Sequence, residues 1–359
     1  MKTVIITQGK VASGAEIVTN ELYKDKKDSV YVFSGSEKQV NYFQDNDFNV
    51  KNINGLIPLE RENFKVNKLF KVLGSLSEIR RNIKEISPDF IHVNNIPALL
   101  YTYLSTMKLN IPIVLQVHDF YSKDKLVKGI AKFLKNKPHK IIAVSNSVSE
   151  DLKSLGFNDT KIEVVHNGIS IETKPRELKR NPKIRIGFVG SIARWKGLHI
   201  FLEAAYQLNN MQEDIEFVIV GPFLDEHYRN EIEILGQKVK SKVRFLGKRT
   251  DARELMQTFD VLVHCSIEHD PFPTVILEGM HSGCAVIGAN CGGVPEMIIN
   301  NKTGLIHQVG SSDELADCLK KLVINQDFRE NISANGYKFA KEYLTGKRFR
   351  EEFFEKIDL

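Results

Sequence analysis

Two cations flank a tryptophan in GSIARWKGLHIFLEAA: Arg194 and Lys196 stand either side of Trp195, where an apolar run, IRIGFV, gives way to a helical pattern. The N-terminus of a helix offers free N–H groups and the positive end of its dipole, so cations placed there can grip a phosphate. Lysine is a compact point charge suited to a diphosphate, and Lys196 directly precedes Gly197. Arg194 can add a forked contact, while Trp195, the only tryptophan, packs beside or covers the site. For each cation the alternative is a solvated side chain.

A second constellation lies in SIEHDPFPTVILEGMHSGCAVIGANCGGVPEMI. Asp270 and Glu278 stand eight apart, Pro271, Phe272 and Pro273 fix an extended loop, and Thr274 is placed to cap the helix that follows. That places Glu278 in the first turn, where a carboxylate can accept hydrogen bonds from the two hydroxyls of a ribose or simply favour the dipole. Gly292 and Gly293 in CGGVPE suggest another turn that exposes backbone, with Glu296 opening a helix. Together these residues describe a nucleotide pocket.

Two further candidates precede them. In TVIITQGKVASGAEIVTNEL a strand runs through Gly9 and Gly14 into a helix near Ala15, a loop that suits a close backbone approach to a ligand or a merely tight turn. His118 ends an apolar strand in QVHDF, a position from which it could touch a sugar, with Asp119 beside it. The glycine spacing is not that of a dinucleotide fingerprint, no serine sits in a nucleophile elbow, and no carboxylate pair or histidine cluster asks for a metal. No metal and no cofactor are therefore expected.

These loops need elements to position them. Strand-like runs (TVIIT, SVYVFS, DFIHVNN, IPIVLQVHD, KIIAVS and KIEVVHNG, then IRIGFVG, IEFVIVG, VRFLG, DVLVHCS and CAVIGA) alternate with helical patterns such as Leu198, Phe201, Leu202, Ala205 and Leu208. The alternation predicts an α/β protein with two Rossmann-like domains, each a parallel sheet between helices. With 359 residues the chain is long enough for two such cores. The break is expected in ISIETKPRELKRNPK, which holds Pro175 and Pro182, giving domains at 1–172 and 183–340. Ser311 and Glu314 form a capping-box pattern ahead of two or three closing helices.

Composition is that of a folded globular protein, 42% hydrophobic and 26% charged, with no run long enough to span a bilayer, and MKTVIITQGK is expected to be a first strand, too short in apolar residues for a signal peptide. Cys265, Cys284, Cys291 and Cys318 read as reduced, mostly buried thiols, which suits the cytoplasm. The net charge of +5 is unevenly placed: from Arg61 to Lys140, 12 Lys and 3 Arg stand against 6 acidic residues, which leaves the rest of the chain at −4. Most of it lies in KVNKLFKVLGSLSEIRRNIKEI and SKDKLVKGIAKFLKNKPHK; in the latter Leu126, Val127, Ile130, Ala131 and Leu134 recur at helical spacing. These segments are either a solvated lysine face or a surface for anionic lipid or a phosphorylated acceptor. No nucleic-acid motif accompanies them.

GSIARWKG, DPFPTVILEGMHSGCAVIG, GGVPE and NKTGL, with SGAE, VHD, AVSNS and HNGIS in the N-terminal half, resemble the retaining glycosyltransferases of the GT-B fold, group 1, family 4. The resemblance implies two Rossmann-like domains around a nucleotide-sugar cleft, with a final helix, 341–359, crossing back to the N-terminal domain. It implies that Lys196 binds the diphosphate, Glu278 the ribose, Asp270 the transferred sugar, His118 the same sugar, and Gly14 the diphosphate. Ser191 stands where the family has arginine, so Arg194 is a candidate replacement; Asp270 stands where it has glutamate, with Glu268 nearby. The activity implied is metal-independent, retaining hexosyl transfer from a nucleotide sugar, a UDP-sugar first, to a lipid-linked or polysaccharide acceptor in capsule, cell-wall or exopolysaccharide assembly. A cytoplasmic protein, peripheral on the inner membrane face, would suit that task. An epimerase or phosphorylase on the same fold, and a non-catalytic partner subunit of a transferase, are the alternatives.

Overall fold

Runs rich in Val, Ile and Phe make the buried strands of two sheets, and helices with one apolar stripe cover them. The computed structural model describes residues 1–9, 14–58, 66–170 and 183–359, with the side chains of 66–69 left aside. The expected break with Pro175 and Pro182, and the basic residues Arg61 and Lys65, lie outside the described residues.

The chain divides into two compact units. One is Met1–Gly168 together with Gly346–Leu359; the other is Ile169–Thr345. Strands of the first are β1 (Thr3–Ile6), β2 (Val30–Ser34), β3 (Asn49–Asn52), β4 (Phe90–Val93), β5 (Ile113–Val117), β6 (Lys140–Ala143) and β7 (Ile162–Val164). They pair in parallel in the order β3-β2-β1-β4-β5-β6-β7. Its helices are α1 (Gly14–Leu22), α2 (Glu37–Asp45), α3 (Val66–Ile86), α4 (Ile96–Thr106), α5 (Lys125–Leu134) and α6 (Asn146–Ser154).

The second unit holds β8 (Lys183–Val189), β9 (Asp214–Val220), β10 (Lys242–Phe245), β11 (Val261–His264), β12 (Ala285–Ala289) and β13 (Leu305–His307). Their order is β10-β9-β8-β11-β12-β13, again parallel. Around them run α7 (Leu198–Gln207), α8 (Glu226–Lys238), α9 (Ala252–Met256), α10 (Thr274–His281), α11 (Val294–Met297), α12 (Ser312–Ile324) and α13 (Gln326–Tyr343). The closing helix, α14 (Gly346–Ile357), returns to the first unit and buries Phe349, Phe353 and Ile357 among Val18, Tyr23 and Val114.

Each unit has its own apolar core, the second built on Phe188, Phe201, Phe217 and Leu319. Strand order reverses between β1 and β4 in one sheet and between β8 and β11 in the other. In open parallel sheets that reversal opens a crevice beyond the carboxyl ends of the strands, the place where ligands bind. The loops after β8 and β11 carry Lys196 and Asp270.

Two strands, β3 and β13, were not expected from the sequence, and both are sheet edges. NVKN is mostly exposed, so it lacks the apolar run of a central strand; LIH has only three residues. Ser311 caps α12 as expected, its hydroxyl accepting from the Glu314 N–H at 3.2 Å, but the Glu314 carboxylate turns to the N–H of Gln308 at 2.8 Å. The four cysteines are buried and unbridged.

Candidate functional site

After β8 the chain makes a 3-10 turn over Arg194–Lys196 and enters α7 through Gly197, which sits at φ 73°. A Cβ there would lie 1.9 Å from the carbonyl oxygen of Cys265, so both conformation and space demand glycine. This lock ties the lysine turn to the chain leaving β11. The Ile267 N–H, donating to the Trp195 carbonyl at 2.8 Å, ties it a second time.

That docking brings Lys196 to Asp270, 74 positions later: Nζ lies 2.6 Å from Oδ2. His264, the last residue of β11, places Nε2 3.2 Å from the same oxygen, and Ser266 Oγ lies 3.0 Å from that nitrogen. His264, Ser266 and Asp270 are all buried. Burial alone would raise the Asp270 carboxyl, yet the His264 hydrogen bond and the Lys196 ammonium together hold it far below the usual carboxylate range. The Lys196 ammonium also sits over the Trp195 ring, 4.1 Å from its centroid. Trp195 itself is partly exposed.

Arg194 points elsewhere. Its guanidinium pairs with Glu231 of α8 and covers the Tyr228 ring at 5.0 Å. Ser191 is exposed at the start of the turn, and Glu268 is exposed ahead of Asp270.

The loop DPFP ends in α10, and two expectations change there. Pro273, with ψ 115°, occupies the N-cap, and no side chain caps the helix; Thr274 is its first helical residue, not its cap. A cap hydroxyl needs the extended backbone that Pro273 has taken. Because the helix starts at Thr274, Glu278 falls one turn further in, and the first turn holds no acidic residue. Its Oε1 instead accepts from Arg253 of α9, Nε at 3.1 Å and Nη2 at 2.9 Å. Burial pushes the Glu278 carboxyl up, and Arg253 works against that rise. Phe272 and Pro273 are buried beneath this turn.

Gly292 and Gly293 serve the same loop. Gly292, at φ 54°, would place a Cβ 2.0 Å from the Asp270 carbonyl oxygen, and Gly293 one 2.1 Å from that of Pro271. The Gly293 N–H donates to the Asp270 carbonyl at 3.0 Å. The glycine pair is thus the bed on which the Asp270 loop lies, and the Gly293 N–H is spent inside the protein.

In the other unit Gly14 begins α1, while residues 10–13 of its loop lie outside the described residues. His118 follows β5 and is half-buried; its Nε2 is enclosed without a hydrogen-bond partner, and burial pushes the ring down to about 4.

The geometry thus joins Lys196, Asp270, His264 and Ser266 in one cluster and sets a second carboxylate–cation pair, Glu278 with Arg253, on the helix leaving the same loop. A cation held near its carboxylate can exchange that partner for an anionic ligand, and a half-sheltered carboxylate can accept from paired hydroxyls. His264 had a sequence signal, since it ends an apolar run as His118 does. Arg253 had none: its pairing with Glu278 crosses 25 positions and two elements.

Two family models match the chain: "Glycosyltransferase Family 4" over residues 13–173 and "Glycosyl transferases group 1" over 170–339. An uncharacterized glycosyltransferase of Methanocaldococcus jannaschii is 25% identical over 64% of this chain, a match that spans 62% of that relative. The N,N'-diacetylbacillosaminyl-diphospho-undecaprenol alpha-1,3-N-acetylgalactosaminyltransferase of Campylobacter jejuni is 26% identical over 89% of this chain and 88% of its own. Among solved structures, HepE of Anabaena in complex with UDP and glucose superposes with a TM-score of 0.84 at 20% identity, covering 99% of each chain.

Proposed function

The chain belongs to the group 1, family 4 glycosyltransferases and has their GT-B fold, and from that membership we propose that it moves a sugar, with retention of anomeric configuration, from a UDP-sugar to a lipid-linked or polysaccharide acceptor. Capsule, cell-wall or exopolysaccharide assembly is the setting. The observation that carries the reading is the buried cluster of Lys196 and Asp270 at the strand-order reversal of the second sheet, with Glu278 on the following helix.

Breaking a sugar–phosphate bond leaves a diphosphate and builds positive charge on the sugar ring, so a catalyst must hold the developing anion. In this proposal the Lys196 ammonium does so without a metal. Asp270 accepts from the hydroxyls of the transferred sugar, and Glu278 from the ribose. Phe272, Pro273 and Thr274 shape the wall beside them. Arg194 would have to leave Glu231 to reach a phosphate. His118 and Gly14 keep the sugar and diphosphate contacts that the resemblance implies; replacing His118 by alanine should abolish transfer. An acceptor on a membrane also gives the basic helices of the first unit a task, and we propose that they meet an anionic lipid surface.

The test is a thermal-shift and calorimetric screen against UDP, GDP, ADP and their sugars. A ligand that binds only the native state raises its melting temperature, by about 2.7 kcal/mol of stability at a hundredfold excess over Kd. UDP and a UDP-sugar should stabilise the protein, and Lys196→Ala and Glu278→Ala should each remove that effect. Lys196→Ala also strips a buried carboxylate of its partner, at a cost of roughly 3–5 kcal/mol, so its melting temperature is read alongside its binding. Donor turnover unchanged in both variants would overturn the assignment.

A further inference from the structure

We propose that His264 is the positioning residue of the donor-sugar site: its Nε2–H fixes the Asp270 carboxylate in place while Lys196 turns to the diphosphate. The inference deepens the reading above and rests on it. An ionised carboxylate only accepts, so the ring nitrogen 3.2 Å from Oδ2 carries the proton. Ser266 Oγ, 3.0 Å from the same nitrogen, takes a second share of that proton. The other nitrogen, Nδ1, is sealed from solvent and has no partner. A buried bare acceptor is more readily tolerated than a buried unpaired N–H, so the ring is held in the Nε2–H tautomer.

The need for this brace follows from Lys196. Its ammonium is 2.6 Å from Asp270, yet in the proposed reaction it must also hold the diphosphate. A carboxylate with only 9% of its side chain exposed that loses its counter-charge would protonate or swing away. His264 has 3% of its side chain exposed and is anchored at the end of β11, so it keeps Asp270 placed when the lysine is shared. Asp270 is also one methylene shorter than the glutamate that the resemblance leads one to expect, and the imidazole reaches it from behind.

The full-length protein separates this from a general structural role. UDP lacks the sugar that Asp270 serves, whereas UDP-glucose, UDP-galactose and their N-acetyl forms present it. In His264→Leu, calorimetry should show UDP binding within about twofold of the parent, while the preferred UDP-sugar weakens about tenfold or more, the scale of one hydrogen bond to a charged group. His264→Gln, which restores an N–H donor, should recover most of that loss. A His264→Leu protein that binds both ligands as the parent does, or loses both equally, overturns the proposal. If that variant does not fold, nitrogen-15 spectra of the parent decide the matter: they must show His264 as the Nε2–H tautomer, and the Nδ1–H tautomer overturns the proposal. A parent that binds no UDP fails the donor-site reading itself, and the role of His264 falls with it.

Discussion

In the proposed role Glu278 accepts from both ribose hydroxyls best when ionised, and its surroundings push both ways. Burial raises its carboxyl, while the Arg253 guanidinium, at 2.9 and 3.1 Å from Oε1, opposes the rise. Replacing Arg253 by methionine removes the opposing charge and keeps much of the packing. The carboxyl then titrates at higher pH, so the protonated, weaker-binding form appears sooner as pH falls. UDP affinity should fall roughly three- to tenfold at pH 7, a modest figure because Arg253 is 43% exposed and partly screened, and it should fall further in acid than in the parent. Calorimetry at several pH values reads this directly. Equal affinities with parallel pH profiles would show that Arg253 only decorates α9.

At the scale of elements, α3 packs on α4 and α4 on α5, and the three carry exposed lysines and apolar side chains. Phe70 and Leu73 of α3, Leu104 of α4, Met107 just beyond it and Phe133 of α5 are exposed, amid the exposed Lys71, Lys84, Lys125, Lys128 and Lys132. The stripe of Val127, Ile130, Ala131 and Leu134 in α5 is buried in its own unit, so it is core and cannot enter a bilayer. Attachment would therefore rest on lysine charge and a few inserted rings, and it should be weak, dependent on anionic lipid and diminished by salt. Flotation with phosphatidylglycerol vesicles should capture the protein at low ionic strength, and a Phe70→Ser, Phe133→Ser pair should reduce capture at fixed salt. Capture indifferent to lipid charge and salt would remove the membrane proposal. That stripe also marks what the sequence could and could not tell. Helical period, parallel alternation and central strands were legible, because each depends on a local apolar run. The edge strands β3 and β13 were not, being polar or short. In the site, Lys196 and Asp270 were singled out separately, but their pairing was invisible because it depends on Gly197 bringing two loops together. Thr274 was mistaken for a cap because the backbone of Pro273, not the residue type, decides where α10 begins.

At the scale of the whole molecule, chain order and structural membership diverge in α14. It follows the second unit in sequence, yet it belongs to the first. Phe349, Phe353 and Ile357 are buried there, with the Phe353 ring 5.2 Å from that of His92, and Phe354 meets Tyr23 at 5.9 Å. Arg350 pairs with Glu21 and with Asp25 at 3.3 Å, and Lys356 with Glu163 at 3.3 Å. The surface pairs add little, but burying three large side chains stabilises by roughly 5–9 kcal/mol, comparable to the net stability of a whole domain. Deleting everything after Thr345 should therefore unfold the first unit or leave it molten. Lys196 and Glu278, proposed to hold the diphosphate and the ribose, lie in the second unit, with a core of its own, so UDP binding should survive the deletion, weakened only by loss of the Gly14 contact. Hydrogen exchange on the full chain offers the same contrast without a deletion: UDP should protect the turn at 194–197 and the loop at 264–278 strongly, while α14 exchanges in step with β4 and β5. If α14 instead gained protection with the 264–278 loop, or if the shortened chain lost UDP binding together with its first unit, the two cores would not be the independent bodies that their packing implies.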